Sequence, residues 1–164
     1  PQLSRLAQVA PLSMSEQDFL ARCKSLHEIW QKVPNGFLKR ILEAAGCPKK
    51  DVGELGSMQL LQALLNIAER LDSHDENMNA FISADEPERW KERNKGLAAL
   101  FVANDLRIAD AHETFANALP RLQDLGFDTA SLKQGYGRAI DFVMDGVIGA
   151  FANINLPLGR ILAR

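Results

Sequence analysis

Between Leu97 and His112 the chain is apolar in nearly every register, the pattern of a helix at the centre of a bundle rather than on its surface. Leu97, Leu100, Phe101, Ile108 and Ala111 form one stripe; Ala99, Val102, Ala103, Leu106 and Ala109 fill the other side. Set into these surfaces are Asn104, Asp105, Arg107, Asp110 and His112. At about 100° per residue, Asn104 falls in the middle of the first stripe, with Arg107 and His112 roughly 60–80° to either side. A buried helix face carrying an amide, a guanidinium and an imidazole has to satisfy them, and that demand marks the first candidate site.

The rest of the chain reads as helices arranged around this one. Ser13 to Glu16 spells a capping box, opening a helix with the stripe Phe19, Cys23, Leu26, Trp30 and Val33 that Pro34, Asn35 and Gly36 stop. A short helix from Phe37 to Ala45 ends at Gly46, and a loop runs from Cys47 to Gly56. Ser57 then caps a helix carrying Leu60, Leu61, Leu64, Leu65, Ala68 and Leu71. An acidic turn from Asp72 to Asn77 leads into a short apolar piece, Met78 to Ile82. Asp85 and Pro87 open a long helix reaching about Glu113, roughly 42 Å at 1.5 Å per residue, with a wet, charged first half.

A short amphipathic helix broken by Pro120 and ended by Gly126 precedes the last long helix, capped by Asp128 or Thr129. Leu132, Tyr136, Ile140, Val143, Val147, Phe151 and Ile154 make a sustained seam along it. Gly135, Gly137, Gly146 and Gly149 are unusual inside a helix, each costing on the order of 1 kcal/mol against alanine; close helix–helix approach is the usual compensation. Period-2 alternation is absent. The prediction is an all-α fold, a bundle of four to five main helices, with residues 1–12 a lead-in without predicted order and 13–164 a single domain.

Composition narrows the function classes. Hydrophobic content of 46% and charged content of 24% are those of a globular chain rather than a disordered one. A net charge of −2 supplies no global field for nucleic acid, so any polyanion site has to be local. Cys23 and Cys47 make neither a disulfide framework nor a metal spacing, and a reducing cytoplasmic setting is the default. No run approaches the ~18 apolar residues of a membrane span, so no membrane is expected as a partner.

The segment from Arg107 to His112 fits the pattern Arg, four to six residues, His. About 0.6 chance matches are expected in this composition, and Arg22 to His27 supplies a second, so spacing alone decides nothing. Context separates the two. The first copy, with His27 beside Cys23 and Trp30, lies on a simple amphipathic helix with Lys24 and Glu28 close by, where a solvated flank suffices as explanation. The second ends the most apolar helix, beside Asn104 and Asp105. Asp105 and His112 are seven apart and share a face, which lets the carboxylate orient the imidazole or raise its pKa.

With Gly135, Tyr136, Gly137 and Asp141 following on the next long helix, the phrase from Asn104 to His112 resembles the HEPN superfamily over about residues 57–155. The resemblance implies a homodimeric, metal-independent endoribonuclease, with arginine and histidine of both protomers lining one cleft. Carried over by position, Arg107 would hold the scissile phosphate and His112 would move protons, with Asn104, Asp105, Asp110 and Tyr136 in support. RNA is then the substrate, and toxin–antitoxin or anti-phage systems, with an antitoxin or other regulatory partner, are the implied setting. One departure is Ile108, where active members often carry a polar residue directly after the arginine. The chemistry needs no cofactor, because RNA brings its own 2′-OH nucleophile.

Other features have plainer explanations. The Asp72–Glu76 segment has the composition of a metal site, but a solvated helix-ending turn accounts for it, and no metal is assigned. Arg89, Lys91, Arg93 and Lys95 beside Trp90 are interleaved with Glu88 and Glu92, as on a solvated helix face. Tyr136, the single tyrosine, fits either core packing with a satisfied hydroxyl or the mouth of a cleft. The rival to the enzymatic reading is a non-catalytic helical dimerisation or interaction module of a larger protein.

Overall fold

The computed structural model describes residues 9–31, 33–74, 76, 89–112 and 115–164, with the side chains of 109–112 and 117 outside that description. The fold is an all-α bundle, and no strand occurs among the described residues. In chain order the helices are α1 (Glu16–Trp30), α2 (Asn35–Ala44), α3 (Lys49–Glu54), α4 (Ser57–Ser73), α5 (Ala98–His112), α6 (Phe115–Asp124) and α7 (Gly137–Leu162). Three 3₁₀ turns, Arg89–Lys91, Lys95–Leu97 and Thr129–Gln134, lie between them. Packing divides the chain into two compact units, one of Pro1–Lys32 with Ala98–Gly149 and one of Val33–Leu97 with Ala150–Arg164.

In the first unit α1 lies along α5, and α5 packs on α6. Phe19, Cys23, Leu26 and Trp30 are buried, as their spacing of four, three and four predicts. They share the core with Leu100, Val102, Ala103 and Leu106 of α5, Leu122 of α6, and Ile140, Val143 and Val147 of α7. The rings of Phe19, Phe115 and Tyr136 meet pairwise with centroids 5.5–5.9 Å apart. Of the glycines expected to permit close helix approach, Gly146 does so: a Cβ there would stand 2.9 Å from the Cβ of Ala99. Gly149 meets nothing within 4 Å.

Gly135 ends the Thr129–Gln134 turn at φ +114°, a conformation glycine adopts at little cost, with the Leu12–Ser13 backbone against it. Here the chain before α1 is tied down, since the amide of Tyr136 donates to the carbonyl of Met14 at 2.9 Å. This junction corrects the expected last helix. Asp128 caps the 3₁₀ turn, α7 begins only at Gly137, and Leu132 and Tyr136 therefore precede it.

In the second unit α4 buries Leu60, Leu61, Leu64, Leu65, Ala68 and Leu71, the predicted stripe, against α2 and the Arg89–Lys91 turn. Beside this stripe runs a polar network. The Asn66 amide donates to the carbonyls of Trp90 at 3.0 Å and Glu92 at 2.8 Å; the Asn94 amide donates to Asn66 at 2.7 Å and to Glu69 at 2.9 Å. The Asn94 backbone N–H donates to Gln62, and its side-chain oxygen accepts from Gly96. These bonds occupy the carbonyls of Trp90 and Glu92 and the N–H groups of Asn94 and Gly96, which a helix through residues 92–97 would need. The projecting 42 Å helix is consequently corrected: α5 starts at Ala98, and Trp90 is buried rather than part of a wet face. At the C-terminus Arg160 and Arg164 both pair with Asp72, so that acidic position is the end of α4 and not a solvated turn.

Smaller boundaries move for identifiable reasons. Ser15, not Ser13, caps α1, its hydroxyl accepting from the Asp18 amide at 3.1 Å. Asn35 and Gly36 form the first turn of α2 behind Pro34, and Gly56 rather than Ser57 is the N-cap of α4. The stretch read as a loop after Cys47 holds α3, which starts behind Pro48. The Met78–Ile82 piece lies outside the described residues. By length and composition α7 is the one helix among the described residues able to cross a membrane; one third of its most apolar window is buried.

Candidate functional site

The last two turns of α5 carry the candidate chemistry, and burial along the helix is uneven. Val102, Ala103 and Leu106 face inward, Phe101 is half-buried, and Ile108, expected in the buried stripe, is 39% exposed. The core-facing side thus draws on both stripes, Leu97 and Leu100 from the first and Val102, Ala103 and Leu106 from the other, with α1 packed along the helix. Asn104, Asp105 and Arg107 sit at half-buried positions on the border.

Asn104 and Arg107 are brought together, Arg107 Nη2 donating to Asn104 Oδ1 at 3.3 Å. The Nε–H of Arg107 is buried without a hydrogen-bond partner among the described residues. A buried unsatisfied donor costs about 1–3 kcal/mol, more when it belongs to a charged group. Asp105 goes elsewhere. Its carboxylate accepts from Arg121 of α6, tying α6 to α5. Asp110 and His112 lie in the final turn of α5, and their side chains are outside the described residues.

Tyr136 stands at the aromatic cluster, its hydroxyl donating to Glu16 at 2.7 Å. Burial, seconded by that acidic partner, pushes its phenol up to about 12. The geometry is that of a packed tyrosine with a satisfied hydroxyl.

A residue not placed in the site is brought to it. His27 of α1 is 4% exposed, not on a solvated flank. Its Nε2 lies 2.8 Å from the Gln31 amide nitrogen, its ring meets Trp30 edge-on at 4.9 Å, and its Nδ1 is buried without a partner among the described residues. Burial first, then the positive charge of Arg107, hold its pKa below the usual value, against an opposing pull from Glu28. The signal was present in the spacing. His27 is four residues after Cys23 and three before Trp30, squarely on the apolar stripe, but its charged sequence neighbours suggested water.

What results is a neutral imidazole and a guanidinium on two packed helices, each with a buried donor or acceptor to spare. The arrangement suits an oxyanion, which offers several acceptor lone pairs and a negative charge. Among the described residues no group of three metal-ligating side chains is found. A scan against models of protein families matched none, and searches of curated proteins and of solved structures gave no match.

Proposed function

We propose that this chain is a metal-independent endoribonuclease of HEPN type, working as a homodimer, in which Arg107 holds the scissile phosphate. The observation that carries the reading is the state of Arg107: half-buried, bonded to the amide oxygen of Asn104, and with Nε–H unspent among the described residues. A guanidinium left so is a phosphate receptor, since its planar fork matches two oxyanion lone pairs and its charge is permanent. Proton transfer is assigned to His112, five residues on in the same helix, with Asn104 supporting the arginine. Asp105, paired with Arg121, supports the site by fixing α6 on α5.

The seam Ile140, Val143, Val147 and Ile154 is buried within the protomer, so it is not the dimer surface. The exposed apolar side chains Ile148, Leu156 and Leu162 on α7 are the surface we assign to a second copy. They also favour the second reading, a non-catalytic dimerisation module, as does the exposed Ile108 directly after Arg107. Placement in the cytoplasm, a regulatory partner and a defence role follow from the family resemblance.

The test is an RNA oligonucleotide incubated with the protein in excess EDTA, beside a copy carrying 2′-deoxy at the cut position. Cleavage in EDTA leaving a 2′,3′-cyclic phosphate, lost in the deoxy copy and in Arg107→Ala, is the expected result. Cleavage restored only by magnesium contradicts the mechanism, and intact RNA under all conditions leaves the interaction module.

A further inference from the structure

The pairing of α1 with α5 puts two unsatisfied polar groups into one region of the first unit. His27 is almost wholly buried, and with the Gln31 amide nitrogen facing Nε2 that atom accepts, so the ring proton resides on Nδ1. Among the described residues Nδ1–H then has no acceptor, and Arg107 Nε–H on the other helix has none either. Two buried donors without acceptors are expensive features for a core to keep. A single acceptor lying between α1 and α5 would satisfy both. Arg107 brings a permanent positive charge whose influence on the imidazole exceeds the opposing one of Glu28.

We propose that His27 and Arg107 jointly bind one phosphate group, His27 donating from Nδ1 and Arg107 from Nε, with Gln31 fixing the tautomer and Asn104 the guanidinium. The site draws on the functional reading above only for its natural ligand, a phosphodiester of RNA; phosphate binding itself stands apart from cleavage. His27 is here a binding residue supplied from outside the Arg107–His112 motif. A neutral imidazole suits this task, because it keeps a defined donor at Nδ1 and leaves the charge to the arginine.

The experiment follows the histidine side chains by ¹H–¹⁵N NMR while inorganic phosphate is added to the intact protein. Acetate at matched ionic strength and a 2′-deoxy oligonucleotide are added in parallel, and RNA cleavage is assayed on the same samples. The expected result is a saturable shift of the His27 Nδ1–H signal with phosphate and with the oligonucleotide, not with acetate. In Arg107→Met the apparent affinity should fall about tenfold or more, the size of one lost charge-assisted contact. His27→Gln should weaken phosphate binding similarly; Arg107→Met serves if that variant fails to fold.

No saturable shift at His27, or one indifferent to Arg107→Met, overturns the proposal. A shift with phosphate but not with the oligonucleotide restricts the site to free phosphate and overturns the RNA assignment. Phosphate binding without any RNA cleavage upholds the site and defeats the ribonuclease reading. Cleavage without phosphate binding at His27 does the reverse.

Discussion

Two clusters of polar side chains lie among the apolar helices, and they differ in one respect. Around Asn66 and Asn94 every amide hydrogen bond has a destination: carbonyls of Trp90 and Glu92, the carboxylate of Glu69, the Asn94 oxygen with Gly96. Around His27 and Arg107 two buried nitrogens have none. A saturated network specifies a fold, here by stopping a helix that the sequence would otherwise continue to Ala98. An unsaturated one lowers stability and persists only if something else requires it. The Trp90 indole N–H beside the first cluster is also buried without a partner among the described residues, but it is uncharged; the second cluster, which holds a permanent cation, is the place to look for chemistry.

Substitutions separate the parts of the fold by the size of their effect. The largest effect is expected in the apolar frame under the second cluster: Phe19, fully buried, should cost about 3–5 kcal/mol when changed to Ala, read by chemical denaturation. Gly146→Val presses against Ala99 at the α5–α7 approach and should cost about 1–3 kcal/mol by overpacking. Asn66→Leu takes the side-chain donor from two carbonyls and one of the two acceptors from the Asn94 amide, with an expected loss of about 1–3 kcal/mol. RNA cleavage per folded molecule should not change in that variant, because the network does not touch Arg107.

The smallest effect is a pH dependence. His27 has a lowered pKa in the folded state, so the unfolded chain takes up the proton first as pH falls through the ordinary histidine value near 6.5. The stability that depends on the neutral ring is full above that value and is lost below it, down to the folded pKa. Thermal unfolding from pH 7.5 to pH 5.5 should show this slope, and His27→Gln should flatten it. Asp72, held low chiefly by its hydrogen bond from Arg160, loses its contribution only at more acid pH, so the two windows separate.

Much of the frame was legible in the residues. The stripes of α1 and α4 and the positive-φ stop at Gly46 are all where periodicity and glycine put them. The first half of the supposed long helix was not, because side-chain amides on α4, far away in sequence, compete for its backbone. The break before α7 was missed for a related reason: the backbone before α1 occupies the space beside Gly135. At the candidate site, Asn104 and Arg107 could be paired from their three-residue spacing, since side chains so separated meet on a helix. Asp105 was read as a partner of His112 on the shared face, but tertiary packing brings the Arg121 guanidinium to it, a donor that helix periodicity does not reveal. His27 was readable but was outvoted by its neighbours.

The central claim is that Arg107 and His27 are left unsatisfied for a ligand. The most direct test is denaturation of wild type and Arg107→Met, each without and with millimolar phosphate at fixed ionic strength. The account predicts that the variant equals or exceeds wild type in stability without phosphate, since it removes a buried orphan donor. Phosphate should then stabilise wild type and leave the variant unchanged. A variant less stable than wild type by about 1 kcal/mol or more, gaining equally from phosphate, would make Arg107 an ordinary structural residue and contradict the claim.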